Sequence, residues 1–210
     1  TQEANVPGHG QDGQFENTLE ALMEGLVFAR SEIKRLGLNI QTGFNIAPSF
    51  GKDPFWERFR QMVTPAFISS LDYVGLDFFP DVFRPIPFEQ ISDSVIYLLQ
   101  GFRERLEEVG VNSAVPFVVT ENGWPTGQNR TFAMQSAILE SIVQTLFENR
   151  EMYNICGYQY FSLRDAATEN KTGLYGRRIS TQTCFSYFPA FNQGVYTILM
   201  ALKSNPTWLW

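Results

Sequence analysis

Histidine and cysteine are nearly absent: His9, Cys156 and Cys184 are all that 210 residues contain. The two cysteines lack Cys-x-x-Cys spacing and the histidine stands alone, so the sequence offers no metal-ligand set. Cys156 lies in the apolar run Ile155-Cys156-Gly157-Tyr158. That suits a buried free thiol, and a bridge to Cys184 is the alternative. Basic clusters are also missing. Sixteen Lys and Arg face 22 Asp and Glu, for a net charge of −6, and no stripe of positive charge marks a nucleic-acid partner. No apolar stretch approaches the ~20 residues of a membrane span. No signal-peptide pattern is visible. The chain opens at Thr1 inside a motif, so that silence says nothing about the native protein, and its compartment stays open, with a secreted or periplasmic one weakly favoured.

What remains is a composition for packing. Apolar residues make up 44% and charged residues 18%, which argues against disorder. Aromatics reach 15%, with 19 Phe. Core filling accounts for most of them, and a sugar-binding groove would use the same residues.

Short apolar runs alternate with amphipathic helices. Residues 15–36 read as a helix with Asn17 as N-cap, Glu20 completing a capping box and Gly37 as terminator. Residues 38–47 read as a strand. Asp53-Pro54 opens a second helix, with Pro at the first position and Phe55, Phe59, Met62 and Val63 inward. Residues 71–79, near-continuously apolar, read as a strand covered on both faces, stopped by Pro80. Ser92 caps a third helix that Gly110 ends. Residues 115–120 form the next strand, 131–149 a fourth helix, 155–163 a last strand, and 190–203 a final helix. The spacing is that of βαβ units with parallel strands, and with no linker or repeat a single domain over 1–210 is expected.

The third strand ends in Thr120-Glu121-Asn122-Gly123-Trp124-Pro125. An apolar run that delivers a carboxylate to its C-terminal tip and then turns is how an α/β barrel builds an active site. A second acid, Glu3, sits in Thr1-Gln2-Glu3-Ala4-Asn5. Two facing carboxylates are the minimum apparatus for breaking a glycosidic bond.

These residues resemble the retaining glycoside hydrolases of clan A, the "4/7" (β/α)8 barrels. Thr120-Glu121-Asn122-Gly123 resembles the nucleophile motif of family 1 β-glycosidases, and Glu121 with Gly123-Trp124-Pro125 resembles the family 17 β-1,3-glucanases. Gly173-Leu174-Tyr175 and Pro189-Ala190-Phe191 resemble the stretch after the last strand of many clan members. The resemblance implies an α/β fold, a (β/α)8 TIM barrel, with the visible chain running roughly from the end of strand four through strand eight. The first three strands and their helices are expected upstream. It implies Glu3 as acid/base, Glu121 as nucleophile, a carbohydrate partner and no cofactor. The chain departs from the clan pattern in three places. Gln2 stands where Asn is usual before the acid/base. Phe78 and Phe79 occupy the region where a Tyr often bonds the nucleophile. Tyr160 or Phe161 must replace a Trp platform on the last strand.

Supporting residues carry two readings each. Trp124 is a stacking platform for a pyranose or a loop anchor. Asp77 and Asp81 bind a hydroxyl, orient Arg84, or cap a turn. Asp165 pairs with Arg164 at the rim or touches substrate. His9, in a glycine-rich loop, and Asn5 are solvated or substrate-contacting. Asn129-Arg130-Thr131 and Asn170-Lys171-Thr172 match glycosylation sequons, which arise often by chance. Two other functions compete with hydrolysis. One is a barrel aldolase or isomerase, which wants a strand Lys or a glycine-rich phosphate loop; no Lys lies on an expected strand. The other is a non-catalytic carbohydrate-binding barrel.

Overall fold

The computed structural model describes residues 5, 13, 15–48, 53–126 and 129–161. In chain order the elements are α1 (Thr18–Leu36), β1 (Gly43–Ile46), α2 (Pro54–Met62), α3 (Pro65–Ile68), β2 (Tyr73–Asp77), a 3-10 turn at Phe88–Gln90, α4 (Ile91–Glu108), β3 (Phe117–Asn122), α5 (Phe132–Glu148) and β4 (Ile155–Tyr160). The four strands form one sheet in the order β1-β2-β3-β4. β1 and β2 are parallel, with Gly43 opposite Tyr73 and Ile46 opposite Leu76. At the strand entries, the Asp72 amide bonds the Thr42 carbonyl, Val74 bonds Pro116 and Phe117 bonds Asn154. All four strands therefore set out from one edge in one direction. A doubly wound sheet reverses its order at a switch point. Here the order never reverses, which is the winding of consecutive units of a (β/α)8 barrel.

The described residues fall into two compact units. The first draws on residues up to 78, 97–120 and 150–158, and the second on 79–96, 121–149 and 159–161.

In the first unit, one face of the sheet is apolar and closed. Phe44, Ile46, Val74, Leu76, Phe117 and Val119 alternate along three strands and are buried. Phe44 stacks on Phe59 of α2 at 5.8 Å and meets Phe67 of α3 at 5.8 Å. Asp53 caps α2 as its sequence promised, accepting from the Phe55 amide at 2.9 Å. Trp56, rather than Phe55 or Met62, joins Phe59 in the buried face. The other face carries Gly43, Asn45, Tyr73, Gly75, Val118, Thr120 and Gly157. Large side chains there oppose glycines: a Cβ on Gly43 would strike Tyr73, one on Gly75 would strike Asn45 and Thr120, and one on Gly157 would press on Val118. Large-against-small filling of this kind is how side chains share a barrel interior.

Three local expectations change. Asn17 stands at the N-cap of α1 but makes no side-chain cap bond. Glu20 reaches Arg58 at 3.1 Å instead of completing a capping box. The strand expected from residue 38 starts at Gly43, because Leu38 finishes the helix. With Gly37 at φ +64°, the Leu38 amide bonds the Ile33 carbonyl at 3.0 Å, a Schellman closure. Ser92 is not a cap, since α4 starts at Ile91 after the 3-10 turn. In the second unit, its hydroxyl meets Thr145 and Ser141 of α5 at 3.0 and 3.3 Å. The α5 expectation holds: Thr131 caps it, and Ile138, Leu139, Ile142, Val143 and Leu146 are buried.

Arg103 is the most committed polar group of the first unit. It is 8% exposed and lies 3.7 Å from the centre of the Phe117 ring. Its guanidinium donates to the carbonyls of Tyr153 at 2.7 Å, Val115 at 3.2 Å and Asn112 at 3.5 Å. Those carbonyls belong to the turns that start β3 and β4. Burial pushes its pKa down, opposed by Glu107. Replacing it by Leu leaves carbonyls without donors, so Arg103→Leu is expected to destabilise the protein by about 2–4 kcal/mol. Urea unfolding of the two proteins at one pH measures this.

Candidate active site

The motif expected to carry the chemistry is the tip of β3. The strand alternates cleanly at first: Phe117 and Val119 are buried on the helix-packed face, while Val118 and Thr120 are half-buried on the other. Continued alternation would bury Glu121 beside Val119. Instead Glu121 is half-exposed, and Asn122 takes the fully buried position. The period-two burial pattern breaks between Thr120 and Glu121.

The residues on either side of Glu121 are fixed. On the preceding side, in the first unit, the Thr120 hydroxyl donates to the Asp77 carboxylate at 2.6 Å. The Asn45 amide donates to the same oxygen at 3.4 Å. Asp77 is 2% exposed. Burial pushes its pKa above the ordinary carboxylate range, opposed by the bonds from Thr120 and Asn45. Gly75, two residues earlier on β2, leaves the space in which the Asn45 and Thr120 side chains converge. On the following side, in the second unit, the Phe161 amide donates to the Asn122 carbonyl at 2.8 Å. The Phe161 carbonyl lies against Gly123, where a Cβ would stand. Only glycine fits, which gives the Asn122-Gly123 step its physical reason.

Several expected site residues have other work. Trp124 is 1% exposed. Its indole N–H donates to Asp81 at 3.0 Å, the Arg130 guanidinium lies 4.8 Å over its ring, and its carbonyl accepts from the buried Gln135 at 2.5 Å. It is buried as a loop anchor, with the Arg130 guanidinium over its ring. Asp81 sits at φ +64°, and its carboxylate serves Trp124 and the Ile86 amide, the latter at 2.8 Å. Asp77 is neither a turn cap nor the orienter of Arg84. It lies within β2 and faces Asn45 and Thr120. The Asn5 side chain exchanges two hydrogen bonds with the Ala47 backbone, at 2.8 and 3.0 Å. At 6% exposure its amide holds the end of β1.

Tyr160 is half-exposed at the end of β4. Phe161 is 53% exposed and meets Phe79 edge-on at 6.2 Å, and Phe79 meets Phe83 in the same way at 6.0 Å. Cys156 is a half-buried free thiol. In the first sequon, Asn129 is exposed with φ +62°, and Thr131 is occupied as the α5 cap. Gln2, Glu3, His9, Arg164, Asp165, Cys184, Asn170-Lys171-Thr172, the segments at 173–175 and 189–191 and the helix at 190–203 lie outside the described residues. Among the described residues no cluster could hold a metal ion, and no helix is long and apolar enough to cross a membrane.

Sequence reasoning passed over Asn45, Gly75 and the hydroxyl of Thr120. The signal was present. Phe44 and Ile46 bracket Asn45, so period two sends it to the face opposite the apolar core. Reading 71–79 as one apolar run hid that Gly75 and Asp77 share that face.

No family model matches the chain, and no curated protein matches it. Among solved structures it is similar to a β-1,3-glucanosyltransferase from Rhizomucor miehei, at 13% identity and TM-score 0.47 over 79% of this chain and 52% of that one. It is similar to an endo-1,4-β-D-mannanase from Thermotoga petrophila, at 13% identity and TM-score 0.46 over 88% and 53%. It is also similar to a β-glucuronidase from Ruminococcus gnavus, at 16% identity and TM-score 0.36 over 83% and 34%. The chain spans about half the length of the first two.

The buried Asp77 carboxyl gives a pH-dependent expectation. Its folded pKa is raised, so the folded state holds the proton more tightly than the unfolded chain. Stability is then fully present at acid pH and is lost as pH rises from the ordinary carboxylate range through the raised value. Asp77→Asn keeps an acceptor for Thr120 and removes the charge. Its melting temperature relative to the parent should rise from pH 4 to pH 8. Melting curves across that range check it; a gap independent of pH contradicts it.

Proposed function

We propose that this chain is part of the catalytic domain of a retaining β-glycosidase. Glu121 is its nucleophile and Glu3 its acid/base. The observation that carries the reading is Glu121 at the C-terminal tip of a parallel strand, part-exposed where the alternation of burial breaks. Its neighbours on both sides are pinned. A nucleophile needs that combination of access and fixed position.

The chemistry asks for two carboxyl groups. An acetal is inert until its leaving oxygen is protonated and the charge at the anomeric carbon is met. Glu3, protonated, gives its proton to the leaving oxygen while ionised Glu121 attacks the anomeric carbon. Glu3, now ionised, then takes a proton from water, and that water displaces Glu121 with net retention. The geometry requires the carboxyls to lie about 5–5.5 Å apart. Tyr160 and Phe161, at the end of the neighbouring strand, are the platform for a pyranose face, and Gln2, His9 and Asp165 are its hydroxyl partners. The four described strands make half of the eight that a barrel needs. No Lys lies on any described strand, which counts against Schiff-base aldolase chemistry.

With the full-length protein and aryl β-glycosides, Glu121→Ala is expected to lower turnover by several powers of ten. Activity within about tenfold of the parent removes Glu121 from the role. Glu3→Ala should spare substrates with good leaving groups, cripple those with poor ones, and yield a β-glycosyl azide when azide is added. An α-azide would mean that inversion, with a wider carboxyl separation, is the mechanism.

A further inference from the structure

We propose that Asp77 and Thr120 form a positioning device for Glu121, in which a carboxylate buried on β2 holds, through one hydroxyl, the residue from which the nucleophile departs. The proposal rests on the reading of Glu121 as nucleophile.

Three observations converge on it. The Thr120 to Asp77 bond, at 2.6 Å, has the length of a charge-assisted bond from a hydroxyl to a carboxylate. It acts on the last residue before the alternation of β3 breaks. Second, the bond belongs to a built cluster. Asn45 on β1 reaches the same carboxylate oxygen, and Gly75 supplies the room that a larger residue would fill. Three adjacent strands thus spend interior positions on one acceptor. Third, the acceptor is an expensive choice. A hydroxyl or an amide would accept from Thr120 without the penalty of burying a carboxyl that has no cationic partner among the described residues. Charged groups kept in disfavoured surroundings are concentrated where function needs them. Asp77 and Thr120 are positioning residues, acting on Glu121 through the backbone of β3.

The test is a set of variants of the full-length protein, assayed on an aryl β-glycoside. Thr120→Val removes the hydroxyl and keeps the shape. Its kcat is expected to fall about 10- to 100-fold, the scale of a small misplacement of a reacting group, with KM within about twofold. Thr120→Ser restores the hydroxyl and should bring kcat back to within about threefold of the parent. Asp77→Asn keeps an acceptor but removes the charge, and its kcat is expected to fall between those of the serine and valine variants; parental kcat there overturns the need for a carboxylate. If Thr120→Val does not fold, Thr120→Ala removes the bond without placing a methyl against the carboxylate, and it is read the same way. A kcat within threefold of the parent in the valine or alanine variant overturns the proposal. So does a rise in KM with kcat unchanged, or a serine variant no better than valine. Glu121→Gln in the same assay separates the two levels. Parental turnover there ends the nucleophile reading and this proposal with it. Loss there, with parental turnover in the Thr120 variants, ends only this one.

Discussion

A carboxylate buried without a cation among the described residues is the constraint around which the sheet is arranged. Asp77 lies on β2 at 2% exposure, and each neighbouring strand must offer it a donor. β1 offers the Asn45 amide and β3 the Thr120 hydroxyl. Both donors need space, and Gly75 leaves it. Register follows from this. A one-residue slip of β3 would send Thr120 to the helix-packed face and leave the carboxylate short of its nearest donor. The apolar face sets the same register independently, because Phe44, Ile46, Val74, Leu76, Phe117 and Val119 are buried together. Hydrophobic packing and the polar cluster thus specify one arrangement from opposite sides of the sheet, and that agreement makes a strand tip rigid.

The loops past the strand ends are governed by a second set of bonds, in the other compact unit. Asp81, in a left-handed conformation, ties the indole of Trp124 and the amide of Ile86 into one turn. Arg130 closes it by donating to the carbonyls of Asp81 and Val82 at 2.9 and 3.3 Å. The groups that looked suited to sugar binding are therefore consumed in holding the loop. Exposed rings in that unit include Phe161 and Phe83.

Much of this architecture was legible in the sequence because it depends on local patterns. Helices α2 and α5 announced themselves through Asp53-Pro54 and through the spacing of Ile138, Leu139, Ile142 and Val143. The strand leading to Glu121 was legible from Val115 to Thr120. What escaped depends on pairing between segments distant in the chain. Nothing near Asn5 says that its amide will complete the backbone of Ala47. Nothing near Trp124 says that Asp81 will take its N–H. Leu38 and Ile40 carry strand-forming side chains, yet the amide of Leu38 closes α1, a backbone bond that side-chain patterns do not report. The site was half legible. Glu121 followed from an apolar run ending in an acid, while Asp77 was noticed without its partners. Asn45 and Thr120 matter only once three strands stand side by side.

The central claim is that Glu121 forms a bond to the anomeric carbon. Trapping tests it most directly. A 2-deoxy-2-fluoro-β-glycosyl fluoride destabilises the second transition state, so a retaining enzyme accumulates its covalent intermediate. The full-length protein is incubated with glucosyl and mannosyl forms of the reagent, digested, and mapped by mass spectrometry. The account predicts one added sugar per chain, on the peptide containing Thr120-Glu121-Asn122. A sugar on any other carboxylate, or hydrolysis of the reagent with inversion and no adduct, would contradict it.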